Sequence, residues 1–269
     1  MSSYQLGLIG AGNMAEAIVR GALAAKVLAP QKITVSDPSP ARRELFQKEL
    51  GVTAIDDNAA LVQRSEVVVL AVKPQMIDAV LAAVGLRLAP PKLVVSIAAG
   101  VTLARIARAC PAEARIVRTM PNTPMLVGRG MVALCRGPAA SDGDLARVRE
   151  LFASCAEVIE LPEEKIDAVT AVSGSGPAYF FLLVEALIEA GVSAGLSAAE
   201  ARTLAETTLA GSAELLAKSG ADAAELRRRV TSPGGTTEAA VKSFAADGFA
   251  AMVTRAVAAA ARRSRELGK

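Results

Sequence analysis

Through roughly the first 160 residues, short apolar runs alternate with longer stretches in which apolar side chains return every three or four positions. The runs at 6–9, 33–36, 67–72, 93–97 and 116–120 have the length and β-branched content of strands buried on both faces. Between them, residues such as Met14, Ile18 and Leu23 recur on one face of a helix. This alternation predicts βαβ units on a parallel sheet, whose right-handed crossovers collect the strand ends on one side. Two later runs, 131–135 and 158–161, flank a helix that Ser141 and Asp142 are suited to cap, and close this region.

Past Glu163 the strand signal stops. Alanine-rich helical patterns fill 177–269, broken at Gly191, Gly195, Ser219-Gly220 and the stretch 232–235. The change predicts an α/β domain over 1–162 and an all-helical domain over 163–269. Pro177 is expected at the first position of a helix, where its missing N–H costs nothing. The body of that helix, AYFFLLVEALIEAGV, is apolar on most faces. A second copy of the chain is the expected cover, and burial within its own domain is the alternative.

The turn after the first run carries the first candidate chemistry. In LGLIGAGNMA, Gly10 permits a tight exit from the strand, Gly12 leaves no Cβ in front of the backbone, and Ala15 lets the helix lie close on the sheet. The backbone from Gly10 through Ala11, Gly12, Asn13 and Met14 then offers N–H groups and a positive helix end to a pyrophosphate. A plain strand-to-helix turn is the alternative, and the position at the end of an apolar run that opens a helix favours the dinucleotide.

Three further clusters follow later strands. Ser36-Asp37-Pro38-Ser39, with Arg42 and Arg43, lies where an acidic residue takes a ribose 2′-hydroxyl of NAD, or where Ser and Arg take the 2′-phosphate of NADP. Both kinds are present, and so is the simpler possibility of an Asp-Pro turn. Ala71-Val72-Lys73-Pro74 ends the strand at 67–72, with Lys73 aimed at cofactor phosphates or at solvent. The third pairs residues 97–100, small enough for a nicotinamide ring to approach, with Met120-Pro121-Asn122-Thr123-Pro124, where Asn122 either orients the carboxamide or makes an ordinary turn.

The helical half holds its own glycine turn, RVTSPGGTTE at 229–238. Ser232, Gly234, Gly235 and Thr236 directly before a helical run form a nest of N–H groups suited to a carboxylate, with Thr237 placed to touch what the carboxylate carries; a bare helix-capping turn is the alternative.

Composition narrows the chemistry. Of 269 residues 52% are hydrophobic, the mean hydropathy is +0.38 and the net charge is +3. This suits a packed globular chain better than a disordered or nucleic-acid-binding one, the more so with two Tyr and no Trp to stack bases. No run reaches the roughly 20 residues of a membrane span, since the one from Ala178 meets Glu185 and Glu189, and no basic leader precedes the first apolar run. A cytoplasmic protein is expected. Cys110, Cys135 and Cys155 read as buried thiols. The chain contains no histidine, which excludes imidazole acid/base work and His-ligated metal chemistry.

These motifs together resemble the pyrroline-5-carboxylate reductase family over essentially the whole chain: GAGNMA, AVKPQ at 71, SIAAGV at 96, MPNTP at 120, AVSGSGPAYFF at 171 and VTSPGGTTEAA at 230. The resemblance implies a Rossmann-like domain followed by an all-helical dimerisation domain, and reduction of a cyclic imine to L-proline by NADPH or NADH. It implies interlocked homodimers that assemble into rings of dimers. Carried over by motif, residues 10–14 hold the pyrophosphate and 36–39 face the adenosine ribose. Asn58 and Ala71 to Pro74 line the cofactor, and Ala98 and Ala99 lie at its nicotinamide end. The loop 232–237 takes the substrate carboxylate, Thr237 meets the ring nitrogen, and Glu163 lies near the substrate. Asp37 departs from the neutral residue expected of a strongly NADP-selective member, and the turn 219–222 lacks the glutamate and proline that members often carry. Among rivals, a β-hydroxyacid-type dehydrogenase needs a lysine that the stretch from Pro177 to Gly191 does not have, and a non-catalytic nucleotide-binding regulator has no use for TSPGGTT.

Overall fold

Alternate side chains of the first strand point into two different cores, and the same division runs through the sheet. In the computed structural model, which describes residues 4–268, Leu6 and Leu8 join one apolar cluster and Ile9 the other; Val67 and Val69 are opposed in the same way to Val68 and Leu70. A strand of period two that is apolar on both faces must be covered on both, so helices lie on either side. The strands are β1 (Tyr4–Ile9), β2 (Ile33–Ser36), β3 (Thr53–Ile55), β4 (Ser65–Leu70), β5 (Leu93–Ser96), β6 (Arg115–Pro121), β7 (Gly130–Arg136) and β8 (Ala156–Glu160). Their order is 3-2-1-4-5-6-7-8. The first six therefore form a Rossmann-like sheet, with its switch point between β1 and β4.

Helices α1 (Asn13–Ala24), α2 (Pro40–Leu50), α3 (Asn58–Arg64), α4 (Ile77–Val84), α5 (Leu103–Ala107) and α6 (Asp142–Ala153) fill the crossovers. As the sequence suggests, Ser141 caps α6, in a capping box closed by Asp144. Two features differ from the expected sheet. The strand β3 has only three residues and follows Gly51, which ends α2 at φ +66; so short a run carries no period. Strand β7 runs antiparallel to β6, because a single 3₁₀ segment, Thr123–Val127, reverses the chain in place of a crossover.

The expected clean start at Pro177 is also replaced. Helix α7 (Ile166–Val169) passes through one π turn (Thr170–Gly174) straight into α8 (Gly176–Ser193). Seen as one path, Glu163–Ser193 is long and apolar enough to cross a membrane, the one such single helix among the described residues, although no uninterrupted apolar run has that length. Helices whose apolar side is covered by protein share that length and composition.

The chain divides into two compact units, the first ending at Ser175 and regaining the chain from Ala259, the second being Gly176–Ala258. In the first unit Ile166 is buried in the sheet-side core and Glu163 bonds to residues of the sheet domain. The second unit holds α8, α9 (Ala198–Ser219), α10 (Ala223–Arg229), α11 (Thr236–Ala246) and the first part of α12 (Phe249–Leu267). Helix α9 is capped by Ser197 and Glu200 in a second capping box. It packs so closely on α8 that a Cβ on Gly191 would lie 3.1 Å from that of Ala201.

Candidate active site

Within the first unit the carboxyl ends of β2, β1, β4 and β5 form one row. Hydrogen bonds prolong the ladders past the strands, from Gly10 N–H to the Ser36 carbonyl (2.7 Å), Ala71 N–H to Ile9 (2.8 Å) and Ile97 N–H to Leu70 (3.2 Å). The glycine turn, the cluster at 36–39, residues 71–74 and the loop starting at Ile97 therefore share one edge. This is where ligands of doubly wound sheets bind.

The geometry of the turn fits a pyrophosphate. Gly10 has φ +101, and a Cβ there would come 2.6 Å from the Ala71 carbonyl oxygen. No side chain is tolerated at such an approach. A Cβ on Gly12, by contrast, would meet nothing within 4 Å, and Gly12 starts the 12-residue α1 with no side chain capping it. An open cradle of N–H groups before a helix of this length is an anion site in waiting. Ala15 is buried against the sheet, Asn13 is exposed and Met14 half-buried.

The cluster after β2 is organised around Asp37. Its Oδ2 accepts the Ala11 N–H at 2.8 Å and its Oδ1 the Ser39 N–H at 2.9 Å, so the carboxylate ties the glycine turn to the start of α2. Arg42 completes the tie, donating to the Ala11 carbonyl at 2.5 Å and to Glu16 at 2.8 Å. Burial works to raise the Glu16 pKa, but hydrogen bonds from Arg42 and Arg20 prevail and hold this carboxyl below its ordinary value. Glu16 was missed from the sequence, where its place in the first turn of α1 was the available sign. Arg43 donates to the carbonyls of Asp37 and Pro38. Ser36 is buried with its hydroxyl donated to Asn58 Oδ1, which fixes the head of α3 beside the turn. Lys73 is exposed ahead of a 3₁₀ turn that Pro74 begins, while Val72 closes on Gly10 from the side.

Ala98 lies in the core and Ala99 is half-buried. Pro121 and Asn122 are buried at the end of β6. The Asn122 amide is engaged at both ends, accepting from Met131 N–H at 2.8 Å and donating to Ser173 at 3.3 Å. These contacts join β6 to β7 and to the π turn at 170–174. Glu163 is also held: its Oε1 accepts the Leu103 N–H at 2.7 Å, capping α5, and pairs at 2.8 Å with Arg118, whose side chain is 4% exposed. The sequence pattern marked Arg118 only as one position in a strand. A cavity of about 400 Å³ lies along this group, lined by Leu103, Pro111, Ile116, Arg136 and Glu163. Another, of about 210 Å³, opens at the amino ends of the strands beside Leu6, Val67 and Leu93, away from the glycine turn.

In the second unit the loop 231–235 turns through Gly234 at φ +71 and leads into the 11-residue α11, with Gly235 at its head and no side-chain cap. Gly234 N–H donates to Glu238 Oε2 at 2.9 Å and Gly235 N–H to the Ser232 carbonyl at 3.0 Å, so both glycine N–H groups are bonded within the loop. Ser232 and Thr236 are exposed and Thr237 is half-buried. Nearby, Arg228 and Arg229 both pair with Glu225, so this basic run is partly neutralised by its own helix.

Comparison with known proteins agrees with this layout. Residues 163–267 match the family model for pyrroline-5-carboxylate reductase dimerisation, and 5–100 match that for coenzyme F420-dependent NADP oxidoreductase. Pyrroline-5-carboxylate reductase of Synechocystis sp. is 47% identical over 267 residues, 99% of each chain, and that of Pseudomonas aeruginosa 44% identical over 100% of this chain and 98% of its own. Among solved structures, Plasmodium falciparum pyrroline carboxylate reductase with NADP bound has a TM-score of 0.89 at 33% identity, and the Coxiella burnetii pyrroline-5-carboxylate reductase 0.91 at 36%, each covering all of both chains. Prephenate dehydrogenase from A. aeolicus, at 14% identity and TM-score 0.54, covering 81% of this chain and 92% of its own, shares the fold alone. The chain therefore belongs to the pyrroline-5-carboxylate reductase family.

Proposed function

We propose that each of the two glycine-containing turns holds one reactant for this family's reaction, the reduction of 1-pyrroline-5-carboxylate to L-proline with NADPH or NADH. The observation that carries this division is that both turns precede a helix lacking a side-chain cap, one on the Rossmann-like sheet and one in the helical unit. Bound NAD(P)H supplies a hydride to the imine carbon, while the imine nitrogen gains a proton. In the first unit the turn of residues 10–14 holds the pyrophosphate through the N–H groups of Gly12, Asn13 and Met14, those of Gly10 and Ala11 being bonded to Ser36 and Asp37. The stretch from Ser36 to Ser39, Asn58 and Ala71 to Pro74 flank the adenosine half, and Ala98, Ala99, Pro121 and Asn122 bound the nicotinamide side. In the second, the turn of Ser232, Gly234, Gly235 and Thr236 takes the substrate carboxylate, which displaces the Glu238 oxygen now on Gly234 N–H. The Thr237 hydroxyl meets the ring nitrogen, and Glu163 is a further residue of the substrate side. A protonated imine takes a hydride without removal of any alcohol proton, so a chain without histidine lacks nothing the step requires. The work left to the protein is alignment and charge stabilisation.

The same reading gives the chain a second copy of itself as partner, in a dimer or a ring of dimers. Phe180, Phe181 and Leu182 on α8 are 57%, 61% and 65% exposed in the single chain, which supports an apolar face made for protein. A cytoplasmic setting, with neither nucleic acid nor membrane as partner, completes it. The test follows NADPH and NADH oxidation at 340 nm with pyrroline-5-carboxylate, beside light scattering of the purified chain. Turnover with neither cofactor overturns the reaction, and a monomer at micromolar concentration overturns the pairing.

A further inference from the structure

The last turn of the chain packs on the loop placed above at the nicotinamide side. That loop, 97–102, is anchored by the buried Ala98 and Val101 but has few hydrogen bonds within itself. Ala98 N–H reaches Ser96 Oγ and Val101 N–H reaches the Ala98 carbonyl, both at 3.4 Å, longer than well-formed bonds. It turns at Gly100, φ +76, where a Cβ would lie 2.8 Å from Leu267 Cβ and 3.0 Å from the Ser264 carbonyl oxygen. The close fit is mutual, since a Cβ on Gly268 would come 2.5 Å from the Gly100 carbonyl oxygen. The helix end is itself tied down. Ser264, 3% exposed, donates from Oγ to Asp167 Oδ1 at 2.6 Å. Arg105 donates to the Leu267 carbonyl at 3.2 Å while its other nitrogens hold Asp78. All of these residues belong to the first compact unit.

We propose that residues 264–268 are a positioning element for hydride transfer: by backing Gly100 they set the depth at which the loop bearing Ala98 and Ala99 meets the nicotinamide ring. The proposal rests on the assignment of that loop in the function above. With the backing gone, a loop with so few bonds of its own relaxes outward and the ring follows it. A misplacement of about 1 Å between reacting atoms costs on the order of 100-fold in rate. The residues that grip the pyrophosphate and adenosine, Gly10 to Asp37, are bonded to one another and do not depend on the tail. Loss of the tail therefore separates turnover from cofactor affinity.

The variants are Ser264→Ala, a chain ending at Arg263, and the pair Asp167→Ala and Asp167→Asn, of which the asparagine still accepts the Ser264 hydroxyl. Each is measured for NADPH Kd by fluorescence, for kcat and KM with pyrroline-5-carboxylate, for Tm, and for the isotope effect with NADPH deuterated at the transferred position. Ser264→Ala and Asp167→Ala are expected to lower kcat about tenfold and the shortened chain about 100-fold, with a larger isotope effect and NADPH Kd within about threefold of the original. Asp167→Asn stays close to the original. A wild-type kcat with a lowered Tm, or a Kd that worsens as much as kcat, overturns the proposal and leaves the tail a general stabiliser. Ser264→Ala decides the matter if the shortened chain does not fold. Ala99→Leu, measured alongside, tests the loop assignment itself: unchanged NADPH binding and turnover in that variant overturn the assignment, whatever the tail variants do.

Discussion

Replacing Glu163 by alanine removes one oxygen that serves two donors, the Arg118 guanidinium and the Leu103 N–H at the head of α5. Arg118 is 4% exposed at its side chain and its Nε has no partner, so among the described residues Glu163 is the one carboxylate bonded to it. Breaking a buried pair from one side costs about 3–5 kcal/mol, because the remaining charge stays out of water. Orphaning a buried N–H adds about 1–3 kcal/mol. The Glu163 side chain is 31% exposed, so water enters where it was and meets both donors. That places the total at the low end, about 3 kcal/mol. For a chain of this size that is a fall in Tm of about 6–12 °C. Glu163→Gln keeps an oxygen for both donors and loses the charge, roughly half the strength of each bond, and falls in between at about 1–2 kcal/mol. Differential scanning fluorimetry at pH 7.5 measures both, and steady-state kinetics at 15 °C, where the variants remain folded, reads the substrate side separately. A Glu163→Ala chain whose Tm stays within about 2 °C of the original while KM for pyrroline-5-carboxylate rises refutes the scaffold reasoning, and makes the residue a substrate contact alone.

Thr237→Ala is expected to lower kcat about tenfold or more while leaving NADPH Kd and Tm near the original, as loss of one hydrogen-bonding group at the reacting centre does; wild-type kinetics remove this hydroxyl from the mechanism. Gly10→Ala places a methyl at φ +101 against the Ala71 carbonyl, at about 1–3 kcal/mol for the backbone conformation alone. It weakens NADPH and NADH binding together, which titration of each cofactor checks. Burial pushes the Cys110 thiol up to about 11 and that of Cys135 to about 12, and raises Cys155 as well. The native protein should react slowly with a disulfide reagent at pH 8 and yield three thiols once unfolded. Because these folded-state values lie above the ordinary 9.0, the stability tied to them is complete below pH 9 and is lost as the pH climbs from there toward 12. Glu16 has the opposite sign, its value being lowered. Its share is complete above pH 4.5 and disappears in more acid solution, where circular dichroism melts against pH show the loss.

Local rules were enough for much of this protein, for reasons visible in particular residues. Apolar runs with both faces buried, such as 67–70, read as strands under helices, and the glycine at 10 announces itself because its tight turn excludes a side chain. The loop before α11 was legible for the same reason, its φ +71 at Gly234 being a conformation in which other residues are strained. What tertiary structure decided were pairings between residues far apart in sequence. Asp37, whose sequence context suggested a reader of ribose, bonds to Ala11 and Ser39, and only folding brings β2 beside β1. Glu163 meets Arg118 across 45 positions, and Ser264 meets Asp167 across 97. The antiparallel turn of β7 and the π turn that joins α7 to α8 are likewise invisible to periodicity. A charged or polar side chain follows its local pattern until burial obliges it to find a partner, and the partner's address is written in the fold.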